Sequence, residues 1–449
     1  MKLQIEKMVY GGSGLGRIPS DDSTDIGRTL FIPFTLPGEI VEAEIASDKA
    51  DGTENANLLN ILQSSPARTA PHCMHFGTCG RCHYQHASYP AQVAIKADIL
   101  RETLERAGVT LLPEVLPHAS PPWGYRNRIR LRLAWTGNTL NLGYSQRASA
   151  RFLHIRECPI AATLLFRAAQ SLCGVAVQVR TARTLLRRAA EVELFCTADE
   201  SRLQMVLYLQ PHKSPGHGNV TVFKALCDSL KEQMPELSGA GLVEFLPDSG
   251  RTGRRAQRIE KLSNWGAEGL NYSAVSRDYW VARGGFFQVN RFLVEDLLGT
   301  VTSGRRGTLA WDLYAGVGLF ARALADTFAQ VVAVEGGDTA AAELSRISRR
   351  SHLRAVHAST QDFLSTAAVQ RERPDLIIAD PPRAGLGPEV CALLARIAAP
   401  EIVYVSCDPV TLARDLRHLT DSGYTLRELH LFDLFPQTFH METVAVLRR

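Results

Sequence analysis

The chain has 449 residues, 45% of them hydrophobic and 21% charged, with a formal net charge of +4. That length exceeds what one ordinary core serves, so two or three domains are expected. The composition is that of a soluble globular protein, and the mildly basic balance permits nucleic-acid binding without arguing for it. No stretch approaches the roughly 20 apolar residues that span a bilayer. The start, MKLQIEKMVYGGSG, lacks the apolar run of a secretory leader, so the cytoplasm is the expected compartment.

Residues 1–62 read as short strands joined by tight turns. Val41, Ala43 and Ile45 alternate with Ile40, Glu42 and Glu44, the period of a strand with one buried face. Several such strands without a helix signal predict a small β-barrel. Gly12, Gly14 and Gly16 do not make a dinucleotide loop, because Arg17-Ile18-Pro19-Ser20 does not open a helix. The pattern VYGGSGLGR…FIPFTLPGE instead resembles a TRAM domain, a small OB-like barrel found on RNA-modifying enzymes.

Residues 63–270 are expected to form a mixed α+β domain. Nine cysteines are present, and three of them, Cys73, Cys79 and Cys82, fall within ten residues. In a reducing compartment that clustering points to soft thiolate ligands for a metal rather than to disulfides. Cys158, followed by Pro159, is the candidate fourth ligand, as at the end of ferredoxin-type iron–sulfur runs. Four thiolates suit zinc equally well. Cys173, Cys196 and Cys227 are spread singly and are expected to fill core space. Val93, Ala97, Leu100, Leu104 and Ala107 recur at helical steps over 91–107 and Gly108 ends the run. This helix is a candidate to pack on the domain that follows. Farther on, RIRLRLAW and RLQMVLYLQ read as strands, and SPGHGN and PDSGRTG as loops.

From 271 to 449 strand and helix patterns alternate, predicting a parallel sheet with helices on both faces, a Rossmann-like α/β domain. Ligands of such sheets bind at the carboxyl ends of the strands. One strand ends in Asp312-Leu313-Tyr314-Ala315-Gly316-Val317-Gly318, and Glu335 ends the next. Glycines permit close approach of a ligand, and an acidic residue there can accept both ribose hydroxyls. The turn is D-x-x-x-G-x-G, without the third glycine of a pyrophosphate loop, and Leu319-Phe320 suit a ligand with no phosphate. S-adenosylmethionine is therefore the expected cofactor.

Asp380-Pro381-Pro382-Arg383 closes another strand. Methyltransferases acting on nucleobase amines carry an aromatic residue fourth; Arg383 counts against amine methylation. Cys407, after IVYVS, leaves a buried strand on the ligand side and is the candidate nucleophile. Cys391, in the helix-like EVCALLARIA, takes the buried structural reading. A thiol has a definite use here. Carbon 5 of uracil attacks a sulfonium methyl only after a thiolate adds to carbon 6, and a base must then remove the carbon-5 proton. Glu442 in FPQTFHMETVAVL is the candidate base, with His440 two residues earlier on the same side of an extended chain.

DLYAGVGLF, DPPRAGL, VYVSCDP, FPQTFHMETVAVL and GGFFQVN together resemble the RNA uracil-5-methyltransferase family, over residues from about 284 to 447. The resemblance implies Cys407 as nucleophile and Glu442 as base. It places Gln288, Tyr314, Glu335 and Asp380 around the donor and base pocket, with Asp362 of STQDFL at the adenine. Phe286 is a candidate to pack near the target base. CGRCHYQHASYPAQ resembles the branch of the family that acts on 23S ribosomal RNA and binds a [4Fe-4S] cluster, which favours iron–sulfur over zinc. RNA, with 23S rRNA the favoured target and transfer RNA the alternative, is the implied partner. No protein or membrane partner is indicated.

Other readings are a radical methylthiotransferase, which would carry C-x3-C-x2-C rather than the present C-x5-C-x2-C, and an RNA-binding protein with a dead catalytic domain. Because a stacked uridine hides its reactive atoms, the target must be unstacked. Trp123-Gly124-Tyr125-Arg126-Asn127 and two arginine groups, Arg180, Arg183, Arg187, Arg188 and Arg251, Arg254, Arg255, Arg258, are candidates for holding flanking RNA. Such arginine runs more often mark a solvated face than a binding site.

Overall fold

The computed structural model describes residues 1–18, 28–48, 53–211, 218–246, 258–275, 277–348 and 352–449. The chain packs as two compact units: residues 1–122, 364–373 and 379–449 form the first, and residues 123–363 and 374–378 the second. Among the described residues no helix is long and apolar enough to cross a membrane.

The first unit begins with a closed barrel of Lys2–Val9, Ser13–Ile18, Arg28–Pro33, Thr53–Gln63 and Ile40–Asp48, in that spatial order. Alternate residues point inward, and Leu3, Ile5, Leu30, Ile32, Val41, Ala43 and Ala56 make its core. Gly14 and Gly16 are explained by packing. A Cβ at Gly14 would run into Thr35 and one at Gly16 into Leu3, so the glycines let barrel layers approach.

After the cysteine-bearing turns comes the helix Tyr89–Arg106, with Pro90 in its first turn. Its buried face is Gln92, Lys96, Ile99, Leu100 and Leu104. This differs from the expected stripe by about one residue: Val93, Ala97 and Ala107 are only half-buried. The reason is polar pairing, since Gln92 and Lys96 meet buried partners described below. The same unit holds a run of sheet in the order Glu401–Ser406, Glu442–Arg448, Thr425–Phe432 and Val115–His118. Glu442–Arg448 is antiparallel to both neighbours, and Val115–His118 joins Thr425–Phe432 in parallel. Helices Gly387–Ile397 and Pro409–Asp421 accompany it.

The second unit contains a seven-stranded sheet ordered Ile259–Gly266, Leu237–Phe245, Leu203–Leu209, Ala189–Cys196, Arg128–Thr136, Thr139–Ser145 and Phe152–His154. A ribbon of Gly269–Ala274 and Arg277–Ala282 leads to parallel strands Gly307–Leu313, Phe328–Glu335 and Leu353–His357. Cys196 and Cys227 are fully buried, but Cys173 is half-buried, on the rim of helix Thr163–Gln178 rather than in the core. Asn219, which ends the expected loop SPGHGN, lies in helix Gly218–Gln233. The other residues of that loop except Gly218, and the loop PDSGRTG, lie outside the described residues, as do Arg251, Arg254 and Arg255.

Candidate active site

In the first unit, chemistry gathers at the ends of strands. Cys407 is half-buried where strand Glu401–Ser406 gives way to helix Pro409–Asp421. The turn is fixed by its own polar groups. Asp408 caps the helix, its Oδ1 accepting from the N–H groups of Val410 at 3.0 Å and Thr411 at 3.1 Å. Ser406 Oγ donates to the Asp408 carbonyl at 3.1 Å, and Thr443 Oγ1 donates to the Ser406 carbonyl at 3.0 Å. Tyr10, from the barrel, donates its hydroxyl to Asp408 Oδ2 at 3.3 Å.

Glu442, 4% exposed, opens the strand beside this turn. Its carboxyl is held well above the ordinary range, first by burial and then by the neighbouring Asp380 carboxylate, with Arg383 opposing. Burial raises Asp380 in the same way. The Cys407 thiol is pushed up to about 12 by burial, then by Glu442 and Asp380, while Arg383 pulls it down. Two carboxyl groups and a thiol thus share one low-dielectric place, with the Arg383 guanidinium opposing. Such a cluster holds its protons more tightly than the same groups would apart. The exposed Arg383 reaches His440, with Nη2 3.4 Å from Nδ1. His440 and Phe439 lie against each other at 4.2 Å between ring centroids, and Phe439 meets His83 at 4.6 Å and Tyr10 at 5.4 Å.

The cysteine turns lie in the same unit. Cys79 and Cys82 are buried and Cys73 is half-buried, its N–H donating to Gln85 Oε1 at 2.9 Å. Burial raises the Cys79 thiol, and proximity of Cys73 raises it further. Cys158 belongs to the second unit. Among the described residues no three His, Cys, Asp or Glu side chains are gathered as a metal-holding group. Cys391 is buried on helix Gly387–Ile397, its Sγ 3.9 Å from the Asp415 carbonyl, as a packing residue.

In the second unit, strand Gly307–Leu313 ends in Tyr314 at φ +61°, with Gly316 at +56° and Gly318 at +81°. A Cβ at Gly316 would meet nothing within 4 Å, so the turn leaves open space over its backbone. The Gly316 N–H donates to Glu335 Oε2 at 2.8 Å, and Glu335 Oε1 accepts from Gly337 at 2.6 Å. Glu335 is therefore fixed at the end of its strand, with lone pairs left for a diol. Asp312 is fully buried and accepts the Ala321 N–H at 2.8 Å, tying the strand to the short helix Leu319–Leu324. Asp362 is exposed in the first turn of helix Thr360–Gln370, accepting from Ser359 Oγ at 2.6 Å. These residues fit an uncharged nucleoside better than a pyrophosphate.

Gln288 is 7% exposed, and Phe286 is 71% exposed. The segment is anchored by a residue whose role the sequence hid. Asn127, fully buried, donates Nδ2 to the Gln288 carbonyl at 2.9 Å and its N–H to the Val289 carbonyl at 3.0 Å. Tyr125 is also fully buried and accepts the Arg291 N–H at 3.0 Å. Gly124, whose carbonyl accepts from Arg291 Nε at 2.8 Å, Tyr125 and Asn127 thus brace the Gln288 segment. Asn127 and Tyr10 carry no local signal, because their partners are remote in sequence.

A mixed α/β sheet with an acidic residue and a glycine turn at its strand ends, preceded by a closed five-stranded barrel, defines the class as a methyltransferase. A family model described as tRNA (Uracil-5-)-methyltransferase matches residues 88–449. The chain belongs to this RNA uracil-5-methyltransferase family. It is 31% identical to an uncharacterized RNA methyltransferase of Aquifex aeolicus, over 100% of this chain and 98% of that protein. It is likewise 31% identical to the 23S rRNA (uracil(1939)-C(5))-methyltransferase RlmD of Chromohalobacter salexigens, over 100% and 89%. Its fold is similar to that of the tRNA (uracil-54, C5)-methyltransferase of Pyrococcus abyssi, solved with S-adenosyl-L-homocysteine, at a TM-score of 0.72 and 22% identity over the whole of both chains.

Proposed function

We propose that this protein methylates carbon 5 of a uridine in 23S ribosomal RNA, using S-adenosylmethionine and a covalent bond from Cys407 to the uracil ring. The observation that carries this reading is the grouping of Cys407, Glu442 and Asp380, each with its proton affinity raised, at neighbouring strand ends. The target is favoured by a full-length relative named for 23S rRNA. The family description names transfer RNA, which keeps a tRNA uridine as the second reading.

The residues divide the work as follows. Cys407 gives its proton to Asp380 as its sulfur adds to carbon 6, and the electron pair moves through carbon 5 toward oxygen 4. Arg383 offsets the negative charge that this creates. S-adenosylmethionine, when bound, supplies an electrophilic methyl group, and carbon 5 takes it. Glu442 then removes the carbon-5 proton, the ring double bond re-forms, and the bond to Cys407 breaks, the thiolate recovering its proton from Asp380. Tyr314, Glu335, Asp362 and Gln288 hold the donor, Glu335 through the ribose hydroxyls, and Asp380 keeps Glu442 basic.

We further assign Cys73, Cys79, Cys82 and Cys158 to a [4Fe-4S] cluster, with zinc as runner-up, on their spacing and soft donors. No step of the reaction passes through it. Iron and acid-labile sulfide in protein purified without oxygen would support the cluster, and zinc alone would replace it. The barrel over 1–62 is assigned as a TRAM-like RNA-holding domain, 63–270 as the cluster domain and 271–449 as the methyltransferase domain, working in the cytoplasm.

The chemistry is tested with S-adenosylmethionine and an RNA fragment in which the target is 5-fluorouridine, so that methylation leaves carbon 5 with no proton to lose. Fluorine cannot leave carbon 5 as a proton does, so the adduct should survive denaturation with wild-type protein and be absent with Cys407→Ala. No adduct, or one that persists without the thiol, contradicts the mechanism.

A further inference from the structure

The loop 433–441 connects strand Thr425–Phe432 to strand Glu442–Arg448. Its middle residue, Gln437, is 2% exposed and sits at φ +68°, a backbone region that residues with side chains rarely adopt. Remote residues hold it there. Its carbonyl accepts the N–H groups of His83 at 2.8 Å and Tyr84 at 3.0 Å, directly after Cys82. Its N–H donates to Gln92 Oε1 at 2.9 Å, and its own Oε1 accepts from Gln92 Nε2 at 2.9 Å. Gln92 is 1% exposed and also donates to the Ala87 carbonyl at 2.9 Å.

Only four residues separate Gln437 from Glu442, and two of them, Phe439 and His440, lie against His83 and Arg383. The nucleophile turn is fastened by groups of its own: Asp408 caps its helix, and Ser406 Oγ donates to the Asp408 carbonyl. Release of Gln437 would therefore loosen the approach to Glu442 while leaving the turn that carries Cys407 in place.

We infer that Gln92 is a positioning residue for the general base, acting through Gln437 to fix Glu442 for proton removal but not for methyl transfer. The inference rests on the assignment of Glu442 as that base. Its signature is a change in the order of slow steps: methyl transfer continues while the methylated RNA stays bound to Cys407.

The test is a single-turnover reaction of the full-length protein with a uridine-containing RNA fragment and S-adenosylmethionine carrying a labelled methyl group. Methyl transfer is followed by label in RNA, and elimination by loss of the denaturant-stable RNA–protein adduct. Glu442→Gln should accumulate labelled adduct. Gln92→Leu, which removes both the donor and the acceptor, should slow adduct breakdown about tenfold while changing methyl transfer by less than about twofold. Gln92→Glu retains an acceptor for the Gln437 N–H and, protonated in its buried place, a donor, so it should recover most of the elimination rate. If Gln92→Leu slows both steps alike, changes neither, or is not rescued by Gln92→Glu, the inference is overturned while adduct in Glu442→Gln leaves the base assignment standing. If Glu442→Gln gives no adduct, the base assignment fails and this inference with it.

Discussion

At the residue scale, the chemistry depends on groups that are poor acids where they stand. Burial, and then repulsion from Asp380, raise Glu442, and burial pushes Asp380 up to about 7. The pair loses its proton as a unit. A base must be ionised to act, so kcat/KM should fall as pH drops through the raised range. Its acid limb should lie well above the ordinary carboxylate range; a limb near 4.5 would contradict this. The same shift bears on stability. A carboxyl whose folded-state value is raised favours the folded state most when protonated, and that contribution disappears as pH rises through the raised value. Glu442→Gln should therefore abolish elimination and yet raise unfolding free energy at pH 8, by about 1–2 kcal/mol. Denaturant unfolding of both proteins at pH 5.5 and pH 8 checks this: the gap should widen at the higher pH, and a mutant less stable at pH 8 would refute it.

At the element scale, helix Tyr89–Arg106 shows what periodicity could and could not reveal. Helical spacing was plain from Val93, Ala97, Leu100 and Leu104, and the helix is there. The face it buries was misread because its central contacts are polar. Lys96 is fully buried, its Nζ 2.6 Å from Asp433 Oδ1 and 3.1 Å from the Phe435 carbonyl. Burial lowers the Lys96 ammonium and Asp433 restores it in part. Breaking one side of such a pair leaves the other charge buried, so Lys96→Met should cost about 3–5 kcal/mol, while Lys96→Met with Asp433→Leu should recover much of it. Equal losses in the single and double variants, measured by urea unfolding, would show that the pair is not the buried unit described. No sequence signal could join Lys96 to Asp433, or Gln92 to Gln437, because each partner is an ordinary polar residue several hundred positions away.

At the scale of the whole molecule, the barrel, the strand–helix alternation and the family were legible in order and spacing alone. Glycines at 14 and 16, already unlike a dinucleotide loop in sequence, serve barrel packing. Cys407 in SCDP and Glu442 in HMETVAVL could be singled out as candidates because their residue types stand at strand ends, and the fold places both at the ends of paired strands. The seven-stranded sheet was not legible, because Arg128–Thr136 meets Ala189–Cys196 across two intervening strands and two helices, and its pattern mixes arginine and glutamate with apolar residues. RNA engagement belongs to this scale too. If the arginines at 254 and 255 hold phosphates, alanine at both should weaken RNA binding and flatten its salt dependence by about two charges; an unchanged salt slope would remove that patch from the interface. The most direct measurement is incubation of the purified protein with methyl-labelled S-adenosylmethionine and, separately, unmodified 23S rRNA and unmodified transfer RNA, followed by mass spectrometry of the nucleosides. The account predicts 5-methyluridine in 23S rRNA, absent with Cys407→Ala. Product in transfer RNA alone would overturn the target, and product that survives loss of Cys407, or no methyluridine in either RNA, would contradict the mechanism.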